Sequence, residues 1–210
     1  MIICEARSLT FAYAKQVGEF SYPDFALAAG KATLVTGRSG IGKTTLLSLV
    51  GGILSPKAGQ LYCKGAVYPK RSKDMRLFRS RNVGYIMQQP VFIPSIRVDE
   101  NLQLAAWAKG ISISERQVTE LLDRVGLRSF AKSSPLELSG GELQRLAICR
   151  ATIGDPPLLL ADEPTSNLDD HHAALSMDLL VQGINVAKST LLVVSHDHRI
   201  EHRFDQIIRL

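Results

Sequence analysis

Hydrophobic positions along the chain fall into two kinds of pattern. Leu158-Leu159-Leu160-Ala161 and Leu191-Leu192-Val193-Val194 are unbroken apolar runs, and Leu34-Val35-Thr36 is an apolar, β-branched stretch. Short runs without alternation fit strands covered on both faces. Val83-Gly84-Tyr85-Ile86-Met87 reads as a further strand. Elsewhere apolar residues recur at helical spacing, in Thr44 to Val50, Asp99 to Lys109 and Ser114 to Val125, with Gly110 and Gly126 as stops for the last two.

The order of these patterns gives the organisation. Residues 1 to about 35 alternate short apolar segments with turn formers, Tyr22-Pro23-Asp24 and Ala29-Gly30-Lys31, and predict strands near the base of the molecule. More short strands are expected from Gly59 to Val67. From Pro90 to about Ile153 the pattern turns helical, and Asp155-Pro156-Pro157 marks the return to the sheet. The whole is an α/β chain with a helical insertion and no internal repeat.

The most specific chemistry lies between the strand ending at Thr36 and the helix opening at Thr44-Thr45. Gly37-Arg38-Ser39-Gly40-Ile41-Gly42-Lys43-Thr44 is a complete phosphate-binding loop. Glycine accepts positive φ and lacks a Cβ, so successive N–H groups can converge on phosphate oxygens at the positive end of a helix. Lys43 is placed to reach the β- and γ-phosphates and the Thr44 hydroxyl to ligate Mg²⁺. A metal carboxylate is then expected at the end of a neighbouring strand, and the Leu158 to Ala161 run ends in Asp162-Glu163-Pro164. Asp162 is the candidate for holding Mg²⁺, mostly through water. Glu163 is the candidate general base toward a water attacking the γ-phosphate.

A second glycine-rich element, Leu138-Ser139-Gly140-Gly141-Glu142, precedes Gln144-Arg145 and a helical stretch. With the phosphate loop and Asp162-Glu163, it resembles the signature of the ATP-binding cassette family of nucleotide-binding subunits, over about Leu9 to the last residue. The resemblance implies a P-loop NTPase (RecA-like) core with an N-terminal antiparallel β subdomain and an inserted α-helical subdomain. It implies one domain over 1–210, with 1–89 and 154–210 as nucleotide-binding core and 90–153 as helical signature subdomain.

Family stations then fall on particular residues. Tyr13 stands where an aromatic ring stacks on adenine, with Phe11 as a rival. Gln88, beside Gln89, matches the glutamine that senses the γ-phosphate and Mg²⁺. Asp169, in Ser166-Asn167-Leu168-Asp169, matches the loop that communicates across a dimer, and His196 matches the switch histidine on the γ-phosphate. Ser139, Gly140 and Gly141 before a helix offer N–H groups and a hydroxyl to an anion. The family solution is a head-to-tail homodimer in which one copy's signature closes over ATP held by the other. Departures from the usual pattern are Glu142 where glutamine is commoner, Arg38 and Ile41 within the phosphate loop, and missing residues after the last strand, which bear on an expected C-terminal helix.

Composition narrows the setting. The 210 residues are 45% hydrophobic, enough for a sizeable core. No apolar run nears the roughly 18 to 20 residues that span a bilayer, and Met1 to Glu5 lacks the layout of a secretion signal. The expected location is cytoplasmic, peripheral at the inner face of the cell membrane. Cys4, Cys63 and Cys149 are scattered and read as reduced thiols. The net charge of +5 is densest from Lys70 to Arg81, read first as a solvated face, with anionic lipid headgroups or nucleic acid as the other reading.

Neither heptads nor a tandem duplication accompanies the motifs, so nucleic acid is not the expected partner. The partners expected are a second copy and integral membrane permease subunits. The short chain and its Gly84 to Pro90 segment resemble the clade serving lipoprotein release and macrolide export. The expected function is an ATPase subunit with ATP and Mg²⁺ as ligands, driving a separate permease. A soluble ATPase of this type acting on nucleic acid or a regulatory complex is the alternative reading.

Overall fold

The computed structural model describes residues 1–14, 18–166, 168–187 and 189–210. In chain order the strands are β1 (Ile2–Phe11), β2 (Phe20–Ser21), β3 (Phe25–Ala28), β4 (Ala32–Thr36), β5 (Ala58–Cys63), β6 (Ala66–Val67), β7 (Val83–Ile86), β8 (Leu158–Asp162), β9 (Thr190–Val194) and β10 (Gln206–Arg209). The α-helices are α1 (Lys43–Val50), α2 (Ser72–Asn82), α3 (Val98–Ala108), α4 (Glu115–Arg124), α5 (Gly140–Thr152) and α6 (Asp170–Ala187).

Two sheets organise these elements. One is parallel, in the order β10-β4-β9-β8-β7. Every residue of β4, β8 and β9 is buried, because alternate side chains enter different cores. Val35, Leu158, Leu160, Leu192 and Val194 join α1 and the second sheet, whereas Leu34, Leu159, Ala161, Leu191 and Val193 join α5 and α6. That double burial is the physical origin of the unbroken apolar runs. The second sheet is antiparallel, with β1 pairing β2, β3 and β5, and β5 pairing β6.

The segment between β7 and β8 builds a third core. Val98, Leu102, Val118, Leu122, Leu146 and Cys149 pack together there. Helix α5 therefore has two working faces, since its Ala147, Ile148 and Ala151 belong to the sheet core. Its start is capped reciprocally, with the Glu142 N–H donating to Ser139 Oγ (3.4 Å) and Ser139 N–H to Glu142 Oε2 (2.7 Å). Its end is held by Lys109, whose ammonium donates to Ile153 O (2.8 Å) and whose pKa burial brings down to about 8.

Three details depart from the sequence reading or refine it. The basic run forms a helix, α2, none of whose residues is buried. In place of a C-terminal helix after β9, a 3₁₀ turn over His198–Arg203 leads into β10, which adds to the parallel sheet beside β4. The cysteines are less scattered than their spacing suggests, because Cys4 and Cys63 face each other across β1 and β5. Both are free and buried, and Cys4 Sγ lies 3.6 Å from Tyr68 Oη, which donates to Val50 O at the end of α1.

Sheet and helix approach closely at Gly84. A Cβ built there would stand 2.3 Å from Ala151 O and 2.6 Å from Leu159 Cδ2. Gly84→Ala is expected to destabilise the chain by about 1–3 kcal/mol through overpacking. A thermal melt should then fall by about 2–4 °C per kcal/mol, and an unchanged melting temperature would show that α5 can move away from β7 freely.

Candidate active site

Parallel strands bring their carboxyl ends to one edge, and here β4, β8 and β9 are in register so that Val35 and Asp162 both flank Val194. Everything chemically notable in the sequence core leaves from that edge. Beyond β4, Gly40 (φ 79°) and Gly42 (φ 99°) take left-handed conformations that let the loop curl onto α1. Gly42 is needed for space as well, since a Cβ there would come 2.6 Å from Phe20 Cδ1 and 2.8 Å from Tyr22 Oη. The Tyr22 hydroxyl donates to Gly42 O (3.0 Å) and fixes the loop from below.

Helix α1 has neither a side-chain cap nor an acidic residue in its first turn. Its terminal N–H groups and dipole are therefore directed at whatever anion enters. Lys43 is its first residue, almost fully buried, and its ammonium donates to Gly37 O (2.9 Å) and Arg38 O (3.2 Å). These bonds lay the lysine back across the loop.

The carboxylates of Asp162 and Glu163 diverge from the end of β8. Asp162 is buried and accepts from the Thr44 hydroxyl (3.1 Å). Burial pushes its carboxyl above the ordinary range, with the Thr44 bond opposing and the neighbouring Glu163 charge adding. Glu163 has φ 45°, unusual for a residue with a Cβ, and its N–H donates to Val194 O (2.8 Å). Such a conformation costs on the order of 1–3 kcal/mol. It turns the side chain toward the end of β9, where Glu163 Oε2 accepts from Ser195 Oγ (3.0 Å) and the His196 N–H (3.3 Å). Its Oε1 lies 2.8 Å from His196 Nδ1.

A cavity of about 620 Å³ collects Tyr13, Phe20, the phosphate loop from Gly37 to Thr45 except Ile41, Gln88, Glu163 and His196. Gln88 rather than Gln89 lines it. Between the rival aromatics, Phe11 is buried in the core while Tyr13 is 39% exposed, with its hydroxyl 3.0 Å from Thr45 Oγ1. Phe20 is a wall that sequence reasoning missed; its only signal is its place two residues before the turn-forming Tyr22-Pro23. Ser195 was also missed as a partner of Glu163. Asp197, held down at about 2 by the Arg199 guanidinium, accepts from the Thr165 hydroxyl (3.1 Å) and ties the loop after β8 to the loop after β9.

Other expected site residues lie elsewhere. Ser139, Gly140, Gly141 and Glu142 form the start of α5 and do not line this cavity. Asp169 sits before α6, accepting from the His172 N–H (2.8 Å). Asn167 lies outside the described residues.

The donor set suits a hard divalent cation. Thr44 Oγ1 and Asp162 are within hydrogen-bonding distance, Gln88 adds an amide, and the buried carboxyl whose charge is disfavoured would gain from a cation beside it. A phosphate-binding loop at the start of α1 with a buried carboxylate beside it places this protein in the class of P-loop nucleotide-binding proteins. A family model described as "ABC transporter" matches residues 21–166, and the chain belongs to that family.

Relatives agree with this placement. The lipoprotein-releasing system ATP-binding protein LolD of Xanthomonas campestris pv. campestris (strain 8004) is 35% identical over 190 residues, covering 89% of this chain and 80% of that protein. LolD of Syntrophotalea carbinolica is 36% identical over 201 residues, covering 93% and 88%. Among solved structures, the dimeric post-hydrolysis state of the ATP-binding cassette MJ0796 bound to ADP and Pi superposes with a TM-score of 0.86 at 27% identity, covering 99% of this chain and 94% of the other. The fold is thus the RecA-like P-loop core with an N-terminal strand subdomain and helical insertion. Family membership implies an ATP-hydrolysing activity that uses ATP and Mg²⁺.

Asp162 links this site to stability. A carboxyl whose folded pKa is raised favours folding below the unfolded value, and the gain is lost as pH rises through the folded value. Near neutral pH its charge therefore opposes folding. Asp162→Asn is expected to raise the melting temperature of the nucleotide-free protein near neutral pH, by about 2–4 °C per kcal/mol relieved. The difference should shrink toward the ordinary carboxylate pKa, and Mg²⁺-dependent nucleotide binding should weaken. An Asn variant that melts lower near neutral pH would contradict a desolvated carboxylate.

Proposed function

We propose that this chain is the ATPase subunit of a membrane exporter of the lipoprotein-releasing kind, working as a head-to-tail homodimer against separate permease subunits. The single observation that carries the reading is the separation of the phosphate-loop helix start from the signature. The start of α1 lines the nucleotide cavity, while the start of α5, with Ser139, Gly140 and Gly141, does not. A second copy rotated by twofold symmetry lets each signature meet the phosphates held by its partner. The LolD relatives and the dimeric cassette bound to ADP and Pi support it.

In this mechanism Lys43 and the loop N–H groups hold the β- and γ-phosphates, and His196 contacts the γ-phosphate. Tyr13 stacks on adenine, with Thr45 hydrogen-bonded to its hydroxyl. Thr44, Asp162 and Gln88 would hold Mg²⁺, which would supply charge neutralisation at the phosphates. Glu163 accepts a proton from the attacking water, its carboxylate aimed by Ser195 and the His196 N–H. Positioning and charge stabilisation do most of the work. Asp169 relays the state of one site to the other copy.

Coupling to a permease needs an exposed surface near the cavity. Met87, Val91 and Ile93, around and within the Pro90 to Arg97 loop, are 47%, 70% and 43% exposed, an apolar edge beside Gln88. Among the described residues no helix is long and apolar enough to cross a membrane. We place the subunit at the inner face of the membrane through that edge. Co-purification from detergent-solubilised membranes, with identification of the bound protein, tests the assignment; an absence of any integral membrane partner would overturn it.

Two variants test the chemistry. Glu163→Gln should retain ATP, lose about 10²–10⁴-fold in turnover and accumulate as an ATP-bound dimer in light scattering. A lone protomer at saturating ATP would remove the dimer reading. Lys43→Ala should lose about 10²-fold or more in turnover, read as phosphate release, and an unaffected rate would remove the lysine from phosphate binding.

A further inference from the structure

The start of α6 and the start of α5 are joined by one side chain. A Cβ built on Gly141 would stand 2.9 Å from His172 Cδ2, 3.3 Å from its Cγ and 3.7 Å from its Cβ, so the imidazole lies directly against the signature backbone. The ring is held from its other side, with Nδ1 2.9 Å from each oxygen of the Asp169 carboxylate. Asp169 Oδ1 in addition accepts the His172 N–H. The charge of Glu142, which closes back on Ser139, is favoured first by the Ser139 bonds and further by Arg145 and His172.

A histidine three residues into a helix is ordinarily a capping accessory. Two of its contacts here lie in elements with separate tasks, however. Asp169 belongs to the loop before α6, and Gly141 to the first turn of α5, some thirty positions earlier in the chain. Neither lines the nucleotide cavity of its own chain. A ring clamped by one and pressed on the other fixes the distance between them.

We propose that His172 is a positioning residue of the signature, holding the Asp169 loop and the first turn of α5 as one rigid surface presented to the ATP site of a second copy. This rests on the head-to-tail reading above. It also gives Gly141 a reason to be glycine that lies within the chain: any Cβ there displaces the imidazole.

The test is a double-mutant cycle on the full-length protein, with ATP turnover and melting temperature as readouts. His172→Ala is expected to lower kcat about tenfold, the scale of coupling between contacting residues, while KM for ATP stays within about twofold because the binding loop is untouched. His172→Gln, whose amide can still meet Asp169, should recover part of the rate. Gly141→Ala should lose more than His172→Ala, and the double variant should return to the level of His172→Ala alone. If Gly141→Ala does not fold, the same recovery is read in the melting temperature.

Two results would overturn the proposal. One is a double variant no better than Gly141→Ala, which would assign the glycine to contacts outside the chain. The other is a His172→Ala enzyme with unchanged kcat. Dimer formation by Glu163→Gln reports separately on whether copies pair at all, so failure of the pairing reading and failure of the His172 role give different results.

Discussion

Burial of β4, β8 and β9 on both faces is the constraint from which the rest follows. A strand with no solvated face has one place to put polar chemistry, its end. Three such strands in parallel register deliver three ends to one edge. The phosphate loop, the Asp162-Glu163 pair and the Ser195-His196 pair occupy those ends, so the hydrogen bonds between Thr44 and Asp162 and between Ser195 and Glu163 are consequences of strand register. The left-handed φ of Glu163 fits the same logic. Two adjacent carboxylates on an extended strand would already point apart, and the turn at Glu163 directs the second one across to the neighbouring strand.

Much of this arrangement was legible in the sequence because it depends on local pattern. Apolar runs without alternation identified the central strands, glycine spacing identified the loop, and glycine stops bounded α3 and α4. The capping pair Ser139 and Glu142 also follows from local spacing. The resemblance to a known family added Gln88 and His196, and the structure brings both to the cavity that Glu163 lines.

What escaped the sequence depends on contacts between distant segments. Phe20 walls the nucleotide cavity and crowds Gly42 only because β2 is carried beside the loop by its pairing with β1. Cys4 and Cys63 look unrelated until the β1–β5 register opposes them. His172 carries no signal at all in sequence, since its meaning comes from the helix end against which α6 happens to rest. The end of the chain escaped for a similar reason: Gln206 to Arg209 is short and mixed, and it becomes a strand by pairing with β4.

Helix α5 has a mechanical consequence. One stripe of it, Leu146 and Cys149, is buried in the helical insertion, and the opposite stripe, Ala147, Ile148 and Ala151, is buried against the sheet. A rod gripped on two sides transmits torque. Any rotation of the insertion relative to the sheet must either slide α5 along one of its grips or carry it bodily, and the near-contact of Gly84 with Ala151 O leaves little play for sliding. Motion of the insertion is therefore tied to motion of α5 against the sheet, and of the two connections that bracket the insertion the stretch after Gln88 leaves from the cavity edge while the one before β8 enters at the opposite end of that strand.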